Sequence, residues 1–488
     1  MINEMGFKFN VCDVERNIFE KSASKELKER DLEMIAGGKM NNKFLASSLT
    51  ALSLLTSTGI VASAKAEVVN SQTASVSNSQ RLEQNSQEIQ YFTKQQVIED
   101  IDYVMDTIKK NHVGCVNRIP DEVLKQKEIE IQNLSESTSS VEEWRIISRI
   151  LAKFHDAHTY VLAPEFLYHK RLPLDIENVD NKFFCKSGEF NGAEIIEING
   201  IKISDIYENF KLHYSHEIDE WVHVNFFRCL PFTQSNLALA GIDTFKPIEV
   251  SFKTDKGIAK QKFEFIKVEN KFTKAVPFAS YKIDKDDGVG IFTLNECNFN
   301  KEYCDTVDSF FADVAKNNIK NVVVDLRKNT GGNSDVMFYF AKYLKNLESA
   351  TNQKIEIRTS KGVETFGGKT FTSEDLKTFK FDKNLFDGKI FVLTSNLTFS
   401  SAMLFVQYFS DNNLATIVGE VPGNSPTSYG DISGHGYTTK NSRLKFCTTY
   451  KKFYRVDSTK DPDRIIPDVQ VSAKDALNKA YELIKSES

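Results

Sequence analysis

The chain has 488 residues, 41% of them hydrophobic and 26% charged, a composition that fits one to three soluble globular domains. Its formal net charge is −5 and no basic stripe stands out, so nothing marks a nucleic-acid-binding surface. With 37 Phe the chain can fill a large core, which argues against a disordered protein. The seven cysteines (Cys12, Cys115, Cys185, Cys229, Cys297, Cys304 and Cys447) include no Cys-x-x-Cys pair, which argues against a zinc or thioredoxin-like site. Cys297 and Cys304 are near enough in sequence to pair, but buried free thiols are the favoured reading.

The first residues read as addresses rather than as fold. Residues 40–66 begin Met40-Asn41-Asn42-Lys43, run from 44 to 61 with only Ser, Thr and Gly among apolar residues, and end Ala62-Ser63-Ala64-Lys65-Ala66. A basic start, an apolar stretch and an Ala-x-Ala end make a secretory signal, with cleavage expected after Ala66. The hydroxyl residues in the stretch favour a removed signal over a membrane anchor. In residues 1–39, Leu27, Leu32 and Ile35 fall on one face of a short helix that leads to Gly37-Gly38, where the backbone carries no side chain to obstruct a protease cleft. This resembles a double-glycine leader of the type that guides peptides to dedicated bacterial exporters. The competing readings are an incidental amphipathic helix and translation from Met40. Leader and signal both imply a secreted or cell-envelope protein of a bacterium, and no later stretch is long and apolar enough to span a bilayer.

Residues 67–90, rich in Ser, Gln and Asn, read as a linker. Residues 91–164 read as a small helical domain: Val97, Ile101, Val104, Met105 and Ile108 follow helical spacing, and further helices are predicted over 120–134 and 141–154. Residues 165–278 read as mostly β. The run from Gly192 to Gly200 alternates into a turn, and a short helix over 203–210 follows. The pattern is similar to a degenerate PDZ-like module, but without a Gly-Leu-Gly-Phe loop peptide binding there is not expected. Residues 279–485 alternate strand and helix: strands over 289–294, 321–326 and 389–393, helices over 306–317, 336–344 and 400–409. That alternation predicts an α/β layer, and the chain as a whole is a multidomain protein of mixed α+β and α/β class.

Two strand-loop-helix units carry the chemistry. In the first, the apolar run Val322-Val323-Val324 leads through Asp325-Leu326-Arg327-Lys328-Asn329-Thr330 to Gly331-Gly332. Glycines there let backbone N–H groups face a ligand, as an oxyanion hole requires, although a turn leading into a helix would use them too. In the second, Ile390-Phe391-Val392-Leu393 leads through Thr394-Ser395-Asn396-Leu397-Thr398-Phe399 to Ser400-Ser401-Ala402. A hydroxyl at a helix N-terminus sits in a field that favours developing negative charge, but Ser400 could equally be an N-cap.

Together the units resemble the C-terminal-processing (tail-specific) and tricorn-like serine peptidases. The resemblance rests on Asp-Leu-Arg-x-Asn-x-Gly-Gly, Thr-x-Ser-Ser-Ala, the segment from Ala415 to Glu420, and Pro467-Asp468-Val469-Gln470-Val471, and it covers roughly residues 95–475. It implies an α/β peptidase core of the ClpP/crotonase type, a peptide or protein substrate, no metal and no cofactor. It places the nucleophile on Ser400 and the oxyanion donors on the N–H of Gly331 or Gly332 and of Ser401. Met403 stands where the family has Glu.

Serine needs a neighbour to take its proton. The tail-specific branch uses a lysine, whose position falls near Ser425, and no lysine occurs between Lys389 and Lys440. The tricorn-like branch uses a histidine in Asp-x-His-Thr, which is matched by Asp156-Ala157-His158-Thr159, so the resemblance gives the base role to His158. It also implies an acid near the Pro-Asp strand, Asp461 or in its place Asp457, to orient the histidine. His435 is a rival base. The spacing His155-x-x-His158 without a third ligand is weak support for a metal. The function expected is an exported peptidase working through an acyl-enzyme. The alternative is an inactive binding protein on the same scaffold, as in the retinoid-binding relatives of photoreceptors. An α/β-hydrolase lipase is disfavoured because no Gly-x-Ser-x-Gly elbow occurs. Enzyme and binding protein differ in one respect: in the enzyme, His158 must reach Ser400.

Overall fold

A computed structural model describes residues 89–486 apart from 230, 268–275, 346, 348–349, 369–384 and 433–435. The leader, the signal, most of the linker and His435 lie outside the described residues.

The helical segment begins with α1 (Lys94–Asn111), started by a capping box in which Thr93 and Gln96 satisfy each other's backbone N–H groups. Its apolar stripe, Val97, Ile101, Val104, Met105 and Ile108, is buried as the spacing predicts. Helices α2 (Asp121–Gln132) and α3 (Ser140–Ala152) follow, α3 capped by Ser139.

The next region is an antiparallel sheet of β1 (Ile176–Val179), β2 (Lys182–Cys185), β3 (Glu194–Ile198), β4 (Ile248–Thr254) and β5 (Gly257–Phe263), in the order β5-β4-β3-β2-β1. The helix expected over 203–210 is α4 (Ile203–His213), and the region holds more helix besides: α5 (Asp219–Val224), a π-turn at Asn225–Cys229 and α6 (Gln234–Leu239). One apolar cluster runs from Val97, Ile147 and Leu151 to Ile198, Phe210 and Phe252, so the three helices and this sheet share a continuous core.

The α/β core is a six-stranded sheet of β6 (Ala279–Asp284), β7 (Val289–Leu294), β8 (Asn321–Asp325), β9 (Lys389–Thr394), β10 (Thr416–Gly419) and β11 (Val469–Gln470), paired in that order. Only β6 runs antiparallel to its neighbour. Helices α7 (Lys301–Lys316), α8 (Asp335–Ala341) and α9 (Ser401–Asp411) cover one face, and α10 (Ala476–Ser486) the other. Side chains on a strand alternate between faces. Val322 and Val324 therefore enter the cluster with Phe340, Phe405 and Phe409, while Val323 packs with Phe391, Ala476 and Ala480. A sheet covered on both faces explains why its strands read as unbroken apolar runs. Met403, in place of the family's Glu, is fully buried in the first cluster.

Described Cys115, Cys185, Cys229, Cys297, Cys304 and Cys447 are free thiols, so Cys297 and Cys304 do not pair. Among the described residues no helix is long and apolar enough to cross a membrane.

Candidate active site

Ser400 sits where the loop after β9 turns into α9, at the carboxyl ends of parallel strands, the usual ligand side of an open α/β sheet. The loops after β8 and β9 are laced together. Thr398 Oγ1 donates to the Leu326 carbonyl at 2.9 Å, Ser395 Oγ to the Arg327 carbonyl at 2.5 Å, and Phe399 N–H to the Asn329 carbonyl at 3.1 Å. Buried Asn329 donates to the Leu294 carbonyl at 3.0 Å and accepts Gly331 N–H at 2.9 Å, so the ends of β7 and β8 are tied through one side chain. Arg327 forks onto Asp325 and reaches the Ala473 carbonyl at 2.7 Å.

This lacing forces Ser400 into φ 53°, ψ −125°, a conformation a non-glycine residue adopts only under constraint. Ser400 N–H donates to Asn424 Oδ1 at 2.8 Å. Its hydroxyl makes no helix cap, against the N-cap reading. It lies instead 3.0 Å from His158 Nε2. Gly331 makes room for this: a Cβ there would lie 2.6 Å from Ser400 Cβ, at a φ of 108° that few side chains accept.

Of the expected oxyanion donors, Gly331 N–H is already held by Asn329. The N–H groups of Gly332 and Ser401 make no hydrogen bond among the described residues, and Ser401 Oγ donates to the Gly332 carbonyl at 2.7 Å.

His158 lies between α3 and the short strand Tyr160–Val161, which pairs with Lys445–Cys447 and so brings the helical segment onto the core. Its ring stacks on Phe399 at 4.9 Å, and Phe399 stacks on Trp221 at 4.0 Å. Behind it, buried Asp156 accepts from His158 N–H at 2.8 Å, Thr159 Oγ1 at 2.6 Å, Thr449 Oγ1 at 2.8 Å and His112 Nε2 at 3.2 Å. His112 Nδ1 accepts Gly114 N–H, which leaves the proton on Nε2, facing Asp156. Burial pushes the Asp156 carboxyl up, but the bonds and charges of His112, His158 and Thr159 outweigh it and hold it below the usual range. Burial holds the His158 imidazole below its usual range, against the attraction of Asp156 and Asp431, so the neutral ring that can accept a proton is favoured.

Asp461 is not brought to this histidine. Its carboxylate is exposed and accepts the N–H groups of Asp463 and Arg464. Its carbonyl is clamped by Arg455, whose guanidinium also binds Asp411 at the far end of α9. Eleven residues of helix, about 16 Å, separate that end from Ser400. Asp457 caps a local turn beside it, accepting Thr459 N–H and Oγ1.

His155 turns outward to Glu122 at 3.5 Å, away from His158. Among the described residues, the nearest approach to a metal-ligand group is Asp156, His158 and Glu217. The Asp156 oxygens are occupied by the four donors above, so the group is organised for hydrogen bonding. Asn424, Asn329 and Glu217 had no role in the sequence reading. Asn329 lay inside a quoted motif, whereas Asn424 and Glu217 lie in loops with no pattern of their own.

Residues 288–471, spanning β7 through β11 and both strand-loop-helix units, match the model of peptidase family S41. The α/β core is thus similar to that of the serine-type peptidases of family S41. The fold is shared with mature CPAF complexed with lactacystin, over 81% of this chain and 97% of that one, at 12% identity and a TM-score of 0.54. A second structure of mature CPAF matches over 80% and 96%, at 12% identity and a TM-score of 0.53.

Proposed function

We propose that this protein is an exported peptidase that cleaves peptide bonds through an acyl-enzyme on Ser400, with His158 as general base. The reading rests on one observation above the rest: a hydroxyl held in a constrained backbone conformation, free of any capping role, 3.0 Å from a neutral-favouring imidazole nitrogen. In the first half-reaction Ser400 Oγ attacks the scissile carbonyl carbon while its proton passes to His158 Nε2. The N–H groups of Gly332 and Ser401 receive the oxyanion, a contribution of about 10²–10³ in rate for each such donor. Collapse breaks the C–N bond as His158 returns the proton to the leaving amine. Water then repeats the sequence, with His158 taking its proton, and releases the acid.

The substrate is a peptide or protein, as for the family, and no metal or cofactor takes part in these steps. Export rests on residues 1–66. The mature chain is expected to begin at Glu67, which N-terminal mass spectrometry of the secreted protein reads directly.

A peptide-library digest tests the activity. The mature chain should cut a subset of peptides and Ser400→Ala should cut none. Equal cutting by both would remove Ser400 from the chemistry, and binding without cutting by either would favour the inactive scaffold.

A further inference from the structure

A serine base must present an unprotonated Nε2 to the hydroxyl, so a neutral imidazole carries its proton on Nδ1. In this site His158 Nδ1 is buried and has no hydrogen-bond partner among the described residues. The nearer carboxylate does not supply one. Asp156 Oδ1 lies 3.9 Å from Nδ1 and is already engaged by the backbone N–H of His158 itself. A second buried, unpartnered atom stands in the same cluster, Glu217 Oε2. One oxygen of Glu217, one of Asp156 and one ring nitrogen of His158 lie within 4.8 Å of one another. The other Glu217 oxygen is anchored by Ala157 N–H at 3.2 Å, so the carboxyl is tied to the residue next to the histidine.

An unmet donor beside an unmet acceptor, both buried, is costly unless they meet, directly or through a water. The terminal torsion of a glutamate is broad, so the carboxylate can turn towards the ring at little cost.

We infer that Glu217, in the loop between α4 and α5, is the positioning residue of His158: it accepts the Nδ1–H, fixes the tautomer whose Nε2 faces Ser400, and stabilises the imidazolium formed during acylation. The proton stays on Nδ1 throughout. The inference rests on the Ser400–His158 reading and fills the place that Asp461 does not occupy. Burial and the nearby Asp156 charge push the Glu217 carboxyl well up, so its ionised form is favoured only as His158 gains its positive charge. Around that pair stand Asp156 with His112 behind it, His216 beside Glu217, and Asp431 with Lys451 from the facing strands.

The test is the rate of phosphonylation by a fluorophosphonate, followed against pH in the mature wild type, Glu217→Gln, Glu217→Asp, His158→Ala and Ser400→Ala, with thermal melting as a folding control. Glu217→Gln should fold yet react slower by on the order of 10³- to 10⁴-fold. Its acid limb should move to lower pH, since an amide, unlike the carboxyl, cannot ionise to offset the imidazolium charge. Glu217→Asp should recover part of the rate. Ring-nitrogen NMR of wild type should show His158 protonated at Nδ1, a readout that needs no variant. A wild-type rate and limb in Glu217→Gln, with Ser400→Ala and His158→Ala inert, would overturn the role of Glu217 alone. Reaction in those two controls would overturn the underlying reading instead.

Discussion

The two halves of the candidate site are held by different means. On the nucleophile side, backbone does the positioning: parallel strand ends, Gly331 pressed against Ser400, and carbonyls that tie the β8 and β9 loops together. On the imidazole side, side chains do it: Asp156 gathers three hydroxyl or ring donors and one N–H into a buried knot, and an aromatic stack presses on the ring. A backbone framework follows from apolar runs and glycines that local sequence displays. A side-chain knot joins residues 112, 156 and 449, and no local pattern reports it.

If that contrast is right, the imidazole side should fail through single polar substitutions. The largest effect is expected from Asp156→Asn. The amide keeps one acceptor and turns an N–H₂ towards donors, at a cost of roughly 3 kcal/mol in stability. It should also abolish phosphonylation of Ser400 by loosening His158. Urea unfolding and the labelling rate measure both, and a variant as stable as wild type would break the comparison.

A second substitution sharpens it away from the site. Buried Glu143, whose Oε2 has no hydrogen-bond partner among the described residues and whose carboxyl burial pushes up to about 8, accepts from Ser442 at 2.7 Å. A carboxyl raised on folding contributes stability below its unfolded value, near 4.5, and loses it as pH rises towards 8. Glu143→Gln should therefore match wild type near pH 4.5 and exceed it above pH 8 by up to about 5 kcal/mol, read from urea midpoints. A gain independent of pH would contradict the assignment.

The smallest effect is expected from Asp461→Ala. Its carboxylate serves only a surface turn, so the labelling rate should stay within about twofold of wild type. A loss of a hundredfold would restore it as the acid of the site.

How much could be read from sequence follows the same division. Val322–Val324 and Ile390–Leu393 announced buried strands because both faces of the core sheet are covered. Gly331 is legible as a glycine beside the site, but not in its role: it admits no side chain against Ser400, and its N–H goes to Asn329 instead of to an oxyanion. Ser400 and His158 came from ordered motifs far apart in the chain. Asp461 was misplaced because spacing from Pro467 does not fix direction: Arg455 pulls that loop to the far end of α9. Asn424 and Glu217 are in loops whose approach to the site is set by tertiary packing alone. The helices α5 and α6 were missed for a related reason: with six residues each, they are too short to display a helical period.

The central claim is a proton transfer from Ser400 to His158. Intact-mass and peptide-level mass spectrometry after fluorophosphonate treatment tests it most directly, on wild type and His158→Gln, a variant that keeps polarity but cannot act as base. The account predicts a single adduct on Ser400 in wild type and none in His158→Gln over the same time. An adduct on Ser400 at equal rate in both, or on another residue in wild type, would contradict it.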